Sequence, residues 1–196
     1  MLRSEVEELH YITPIAIVPS ILQQGILSHT LADDVPHESV AMADIQDRRR
    51  LKQVGNGRSL HDYVNLYFNA HNPMLSRCRD RNSSICVLRV NPMVLDHSQA
   101  VFSDRNAAAD MALFSTVDLG LAAIDRTRLF ARYWTHPNDP MEESRHKAEM
   151  CAEALIPDRV DGKSVMGAYV ANRAAREMFL GLKTGLSVQI NTNLFF

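Results

Sequence analysis

Apolar positions along the chain fall into short runs punctuated by proline, glycine and asparagine. Leu9-His10-Tyr11-Ile12 opens as a short strand, and Val18-Pro19-Ser20-Ile21-Leu22-Gln23-Gln24-Gly25 follows with proline in a first helical turn and glycine where a cap belongs. Over residues 41–53, Met42, Ile45 and Leu51 share one side of a helix that Gly55-Asn56-Gly57 ends. Tyr63-Val64-Asn65-Leu66-Tyr67-Phe68 is aromatic and β-branched and runs into the turn signal Asn72-Pro73, which predicts a strand. Residues 84–90 are almost continuously apolar, as a central strand is. Ser103-Asp104 ahead of Asn106-Ala107-Ala108-Ala109 reads as a capped helix start, and residues 124–134 carry Leu129, Phe130 and Tyr133 at helical spacing. Residues 152–156, 164–170 and 186–190 read as strands, with a helix over 171–182 between the last two. Mixed elements without strict βαβ alternation predict an α+β fold rather than a doubly wound sheet.

The 196 residues, 46% of them apolar, suffice for one self-sufficient core, so a single domain over 1–196 is expected. Three cysteines form neither an even set nor a metal-ligand spacing, and no charged-then-apolar leader opens the chain; a reducing, cytoplasmic setting is the expectation. No apolar stretch nears the ~18 residues that span a bilayer, so no membrane association is expected. A formal charge of -2 excludes a histone-like cationic coat while allowing a local basic groove.

The common enzyme signatures are missing. There is no phosphate-binding loop, no dinucleotide fingerprint, no nucleophile elbow and no zinc helix, and Gly55-Asn56-Gly57 is a turn. His136, His146 and Cys151 match no closed zinc pattern, so no metal is expected, and Cys86 lies in an apolar strand that disfavours its thiolate. Arg48-Arg49-Arg50, Lys52 and Arg58 place five cations in eleven residues without an acid. Successive arginines point about 100° apart on a helix, so one or two at most face a common site and the rest are solvated. Arg77, Arg79 and Arg81 form a second cluster, expected in a loop. Glu153 interrupts the apolar run Cys151-Ala152-Glu153-Ala154-Leu155-Ile156, where a carboxylate must be paired, lie at a cleft or face solvent; Glu149 is a competing carboxylate.

Five blocks in sequence order are similar to those of the DarT family, bacterial toxins that move ADP-ribose from NAD to a base of single-stranded DNA. They are His10-Tyr11-Ile12-Thr13 with the helix that follows; Ile45-Gln46-Asp47-Arg48-Arg49; His61-Asp62-Tyr63-Val64-Asn65-Leu66-Tyr67-Phe68-Asn69-Ala70-His71-Asn72-Pro73-Met74-Leu75; Phe102-Ser103-Asp104-Arg105-Asn106; and Ala152-Glu153-Ala154-Leu155-Ile156.

That resemblance implies an ADP-ribosyltransferase-like split mixed sheet with peripheral helices and NAD as co-substrate in the cleft. It puts Glu153 in the place of the catalytic glutamate and Arg49 in that of the catalytic arginine, with Arg48 as the alternative register. His10, Tyr11, Thr13, Arg48, Tyr67 and Met74 take NAD-binding positions, and Asn106, Lys147 and Arg77 face the DNA. The order His10-Tyr11 is the reverse of the family's usual Tyr-His, and Asn106 stands where some members have histidine, which leaves thymine and guanine both open as the target base. A macrodomain-type antitoxin is the implied partner.

Overall fold

The computed structural model describes residues 1–33, 43–55 and 57–196. Its strands are β1 (Leu9–Pro14), β2 (Ile26–Leu27), β3 (Tyr63–Tyr67), β4 (Ile85–Val90), β5 (Val101–Ser103), β6 (Phe114–Ser115), β7 (Glu153–Pro157), β8 (Arg159–Val160), β9 (Val165–Val170) and β10 (Val188–Ile190). The helices are α1 (Val18–Gln24), α2 (His29–Ala32), α3 (Ala43–Arg50), α4 (Pro73–Arg77), α5 (Val117–Ala123), α6 (Arg126–Leu129), α7 (Pro140–Glu149) and α8 (Arg173–Gly181).

Among the described residues eight strands form one sheet in the order β10-β9-β4-β1-β3-β7-β5-β6, while β2 and β8 pair separately. All neighbours in the large sheet are antiparallel except β9 and β10, so it is mixed, as the α+β reading expects. The sheet forks in its middle. β1 pairs with β4 along its whole length and β3 pairs with β7 along its own, yet β1 and β3 share a single pair, His10 opposite Tyr67. Beyond that pair the two strands part, and the divergence is the split that places a cavity between the halves.

One row of residues crosses the fork: Arg89, His10, Tyr67, Glu153 and Ser103 stand opposite one another from β4 to β5. Directly opposed residues project to the same face of a sheet, so the register of β3 and β7 fixes Glu153 beside Tyr67 at the apex. Fully buried Leu9, Leu66, Leu88 and Phe102 lie in the main core, and α8 adds Ala175 and Phe179 to it.

The chain departs from the expected elements in several places. Ser103 ends β5 rather than opening a helix, because Asp104 accepts from the Leu113 amide at 2.9 Å and closes a loop back on itself. Asn106 accepts from the Ala108 amide in one turn that does not continue. α3 stops at Arg50 instead of residue 53, since Gln53 bridges to Ser59; Ala41, Met42 and Asn56 lie outside the described residues. The helix expected over 124–134 is the short α6, after which residues 131–138 follow an irregular path. Asn72-Pro73, read as a turn, is the start of α4, with the Asn72 side chain accepting from the amides of Met74 and Leu75 and Pro73 in the first turn. Arg77 therefore ends a helix, and Arg79–Arg81 forms a 3-10 turn, rather than a loop.

Candidate active site

The fork opens into a cavity of about 580 Å3. Tyr11, Thr13 and Pro14 of β1 form one wall and Tyr63, Asn65 and Tyr67 of β3 the other. Arg48 and Arg49 come from α3, Met74 and Arg77 from α4, and Lys147 from the last turn of α7. Gly25 closes the corner where α1 turns into β2, with φ of 89°.

Arg49 is the point at which a charged helix meets an apolar strand. Its Nη1 lies 3.0 Å from Oε2 and 3.4 Å from Oε1 of Glu153, and the carboxylate has no exposed surface. Arg49 lines the cavity and Glu153 does not, so the guanidinium stands on the wall with the carboxylate behind it. Burial raises the Glu153 pKa, while the charge and hydrogen bonds of Arg49 and the Ala107 backbone act to lower it. The Arg49 Nη2 is buried without a hydrogen-bond partner among the described residues, a donor disposed to receive an acceptor from a bound molecule. Tyr67, opposite Glu153, is buried, and its hydroxyl is pushed well above its usual pKa by burial first and by the Glu153 charge second.

α3 is held against the site from below. His61 Nε2 lies 3.1 Å from the Gln46 carbonyl, and His29 stacks face to face on His61 with ring centroids 4.1 Å apart. Burial, and then the His29 charge, lower the His61 pKa. Lys52 bonds the Ala109 carbonyl, and burial lowers its pKa, with Arg48 and Arg49 adding to the effect against Asp110.

Of the residues that resemblance assigns to NAD, Tyr11, Thr13, Arg48, Tyr67 and Met74 line the cavity. His10 is the exception. Its Nε2 lies 3.1 Å from Glu8 and its Nδ1 3.3 Å from the Tyr67 carbonyl, so the ring fastens the apex of the fork instead of lining the space. Asn106, Lys147 and Arg77 all line the cavity; Lys147 also pairs with Glu143 at 2.6 Å. Glu149 is engaged elsewhere, by Arg128 and Arg145. His136 and His146 hydrogen-bond each other at 2.9 Å, and among the described residues no group of three His, Cys, Asp or Glu side chains is gathered for a metal. No helix among the described residues is long and apolar enough to cross a membrane. Two lining residues that sequence reading leaves without a role are His61, whose signal is its position just before the aromatic strand, and Trp134, the chain's single tryptophan.

A DNA ADP-ribosyl transferase–DNA ADP-ribosyl glycohydrolase fusion protein of Thermosipho africanus is 28% identical over 174 residues, 84% of this chain and 42% of the fusion. This chain thus spans less than half of that relative. The structure of Thermosipho africanus DarTG in complex with ADP-ribose superposes with a TM-score of 0.81 at 25% identity, over 97% of this chain and 51% of that one. Thermus sp. 2.9 DarT in complex with ADP-ribosylated single-stranded DNA gives 0.80 at 26% identity, over 98% and 97% of the two chains. The family described as "ssDNA thymidine ADP-ribosyltransferase, DarT" matches residues 10–196, that is, both halves of the forked sheet together with the Arg49–Glu153 pair, and this chain belongs to it.

Proposed function

We propose that this protein transfers ADP-ribose from NAD to a thymidine base of single-stranded DNA and releases nicotinamide. The observation that carries the reading is the buried Arg49–Glu153 pair at the apex of the forked sheet, beside a cavity of about 580 Å3 with cationic side chains on its wall. Family membership supplies the substrate class, and thymidine is the base named in the family's description.

Breaking the bond between ribose and nicotinamide builds positive charge on the sugar, and a carboxylate aimed at that centre stabilises what develops in the transition state. Glu153 takes this role once Arg49 turns from it toward the bound substrate and uncovers the carboxylate, and it then accepts or orients the proton of the attacking base nitrogen, a contribution of roughly 10² to 10⁴-fold. Arg49 opposes the effect of burial on the carboxylate and offers Nη2 to a phosphate or base oxygen, a two-sided task suited to a planar fork of donors. Tyr11, Thr13, Tyr67 and Met74 hold NAD, while Arg48 meets its charged portion. Asn106, Lys147 and Arg77 receive the strand. A base in a duplex is out of reach without flipping, which favours a single strand. The chain acts in the cytoplasm, and a macrodomain-type hydrolase reverses the modification; the glycohydrolase fused in the Thermosipho relative supports a reversing partner.

Mass spectrometry after incubation with NAD and a thymidine-bearing oligonucleotide tests the reading: the oligonucleotide gains ~541 Da, one ADP-ribosyl group, as nicotinamide appears. Fragmentation assigns the base. Modification of guanine overturns the choice of thymidine, and nicotinamide release with no DNA adduct overturns the transfer reaction.

A further inference from the structure

We propose that Trp134 is a preassembled platform on which a base of the DNA strand stacks at the mouth of the reaction cavity. The inference rests on the transfer reaction proposed above and adds a residue to its DNA side. Trp134 is half-buried, lines the cavity and stands on an irregular segment, where an unsupported indole would be mobile. It is supported from several sides. Its ring meets Phe196 at 5.4 Å and His71 at 6.3 Å between centroids, and His71 stacks on Phe196 at 4.2 Å.

The same histidine ties the segment down. His71 Nε2 lies 3.2 Å from the Arg132 carbonyl and Nδ1 2.9 Å from the Leu194 carbonyl, while Arg132 donates to the Asn193 carbonyl at 2.8 Å. Phe195, buried in the second apolar cluster, anchors the segment that presents Phe196. An aromatic face fixed in advance binds a planar partner without the cost of ordering it.

The occupant follows from what else lines the cavity. Arg77 and Lys147 line the cavity with Trp134, and His71 lies two positions before α4, the helix that ends in Arg77. An aromatic ring flanked by cations is the pairing that single strands use, base on ring and phosphate on charge. Arg132, exposed and bonded to a backbone carbonyl, and Tyr133, 74% exposed, continue the same character along the chain.

Because the chain has one tryptophan, its fluorescence under 295 nm excitation reads this residue in the unmodified protein. A thymidine-rich oligonucleotide is expected to quench it by about half or more, with ADP-ribose changing it by roughly a tenth, given face-to-face stacking of a base. In kinetics, Trp134→Ala should raise KM for the oligonucleotide about tenfold and leave KM for NAD within about twofold, with Trp134→Phe recovering most of the loss. Quenching by ADP-ribose, with KM for NAD rising in its place, overturns the proposal and makes Trp134 a wall of the NAD site. No quenching by either molecule reduces it to a structural residue. An oligonucleotide that quenches Trp134 but is never modified overturns the transfer reaction while supporting the platform.

Discussion

Arg49 and Glu153, 104 positions apart in the chain, meet at 3.0 Å with the carboxylate sealed from solvent and the guanidinium on the cavity wall. Two opposed effects set the proton affinity of Glu153. Burial favours the neutral acid and Arg49 favours the anion, so the arginine determines how far into the acidic range the carboxylate survives.

This opposition has a kinetic signature. Activity that needs ionised Glu153 falls on the acid side, with a limb above the usual glutamate value because burial raises the pKa. Arg49→Gln removes the compensating charge and should shift that limb to higher pH, on top of its loss in kcat, whereas Arg49→Lys should hold the limb close to its original place. Stability moves with the same sign. A buried carboxyl with a raised folded pKa contributes stability below its unfolded value and loses it as pH climbs through the folded one. The cost of Arg49→Gln should therefore grow with pH, toward about 3 kcal/mol where Glu153 is forced to ionise alone. Profiles of kcat/KM and urea melts across pH check both; a limb that stays in place in Arg49→Gln removes Glu153 as the titrating group.

The strands around the site were legible because their apolar runs are long relative to their turns. Tyr63-Val64-Asn65-Leu66-Tyr67 and Ile85-Cys86-Val87-Leu88-Arg89-Val90 are strands within a residue or two of the expected bounds. Glu153 was conspicuous as a charge in an apolar run, and burial with a cationic partner is one of the states such a residue can occupy. Other features depended on contacts no local pattern carries. Ser103-Asp104 has the composition of a helix cap, yet Asp104 bonds the Leu113 amide across a loop. The polar α7 has a weak apolar stripe, so its signal was Asp139 capping the Glu142 amide with Pro140 in the first turn. That His10 would fasten the fork rather than line it depended on Glu8, two residues away on the same face, whose carboxylate takes one of the ring nitrogens.

Gly25 is where backbone conformation limits the cavity. Its φ of 89° suits glycine, and a Cβ there would stand 2.5 Å from the Val160 carbonyl oxygen. Gly25→Ala meets strain and a backbone clash together, for an expected loss of about 3 kcal/mol, and should raise KM for NAD at temperatures where the variant is still folded. Gly185→Ala is the control, since φ of 78° carries the strain but no atom lies within 4 Å of its added Cβ; about 1 kcal/mol is expected. Thermal melts of the two variants compare them, and equal losses would show that the Val160 contact relaxes without cost.

Thiol chemistry should be silent in the folded protein. Cys78, Cys86 and Cys151 are all free and buried; burial raises all three pKa values, that of Cys151 to about 12. Alkylation by iodoacetamide at pH 8 should be slow in buffer and complete in denaturant, and transfer activity should survive the native treatment. Rapid loss of activity with modification of Cys151, which lines the cavity, would show that the site opens far enough to expose it.

Glu8 links proton binding to the fork itself. Burial works to raise its pKa, but hydrogen bonds from His10 at 3.1 Å and Arg89 at 2.5 Å, with Tyr169 contributing, outweigh burial and bring the value down to about 2. A carboxyl with a lowered folded pKa adds stability above its unfolded value near 4.5, and that stability is lost as pH falls toward 2. The full shift would correspond to about 3 kcal/mol, and partial solvent access reduces this to roughly 2 kcal/mol. Glu8→Gln should therefore be less stable than wild type by about that amount at pH 7, with the difference narrowing below pH 4.5 to roughly a quarter of that at pH 2.5. Because His10 stands opposite Tyr67 at the single pair joining the two halves of the sheet, amide exchange of the Tyr67 region should quicken in Glu8→Gln at neutral pH and approach wild type in acid. A stability difference that is constant from pH 7 to pH 2.5 would mean that Glu8 acts through packing, and that its charge does not hold the apex together.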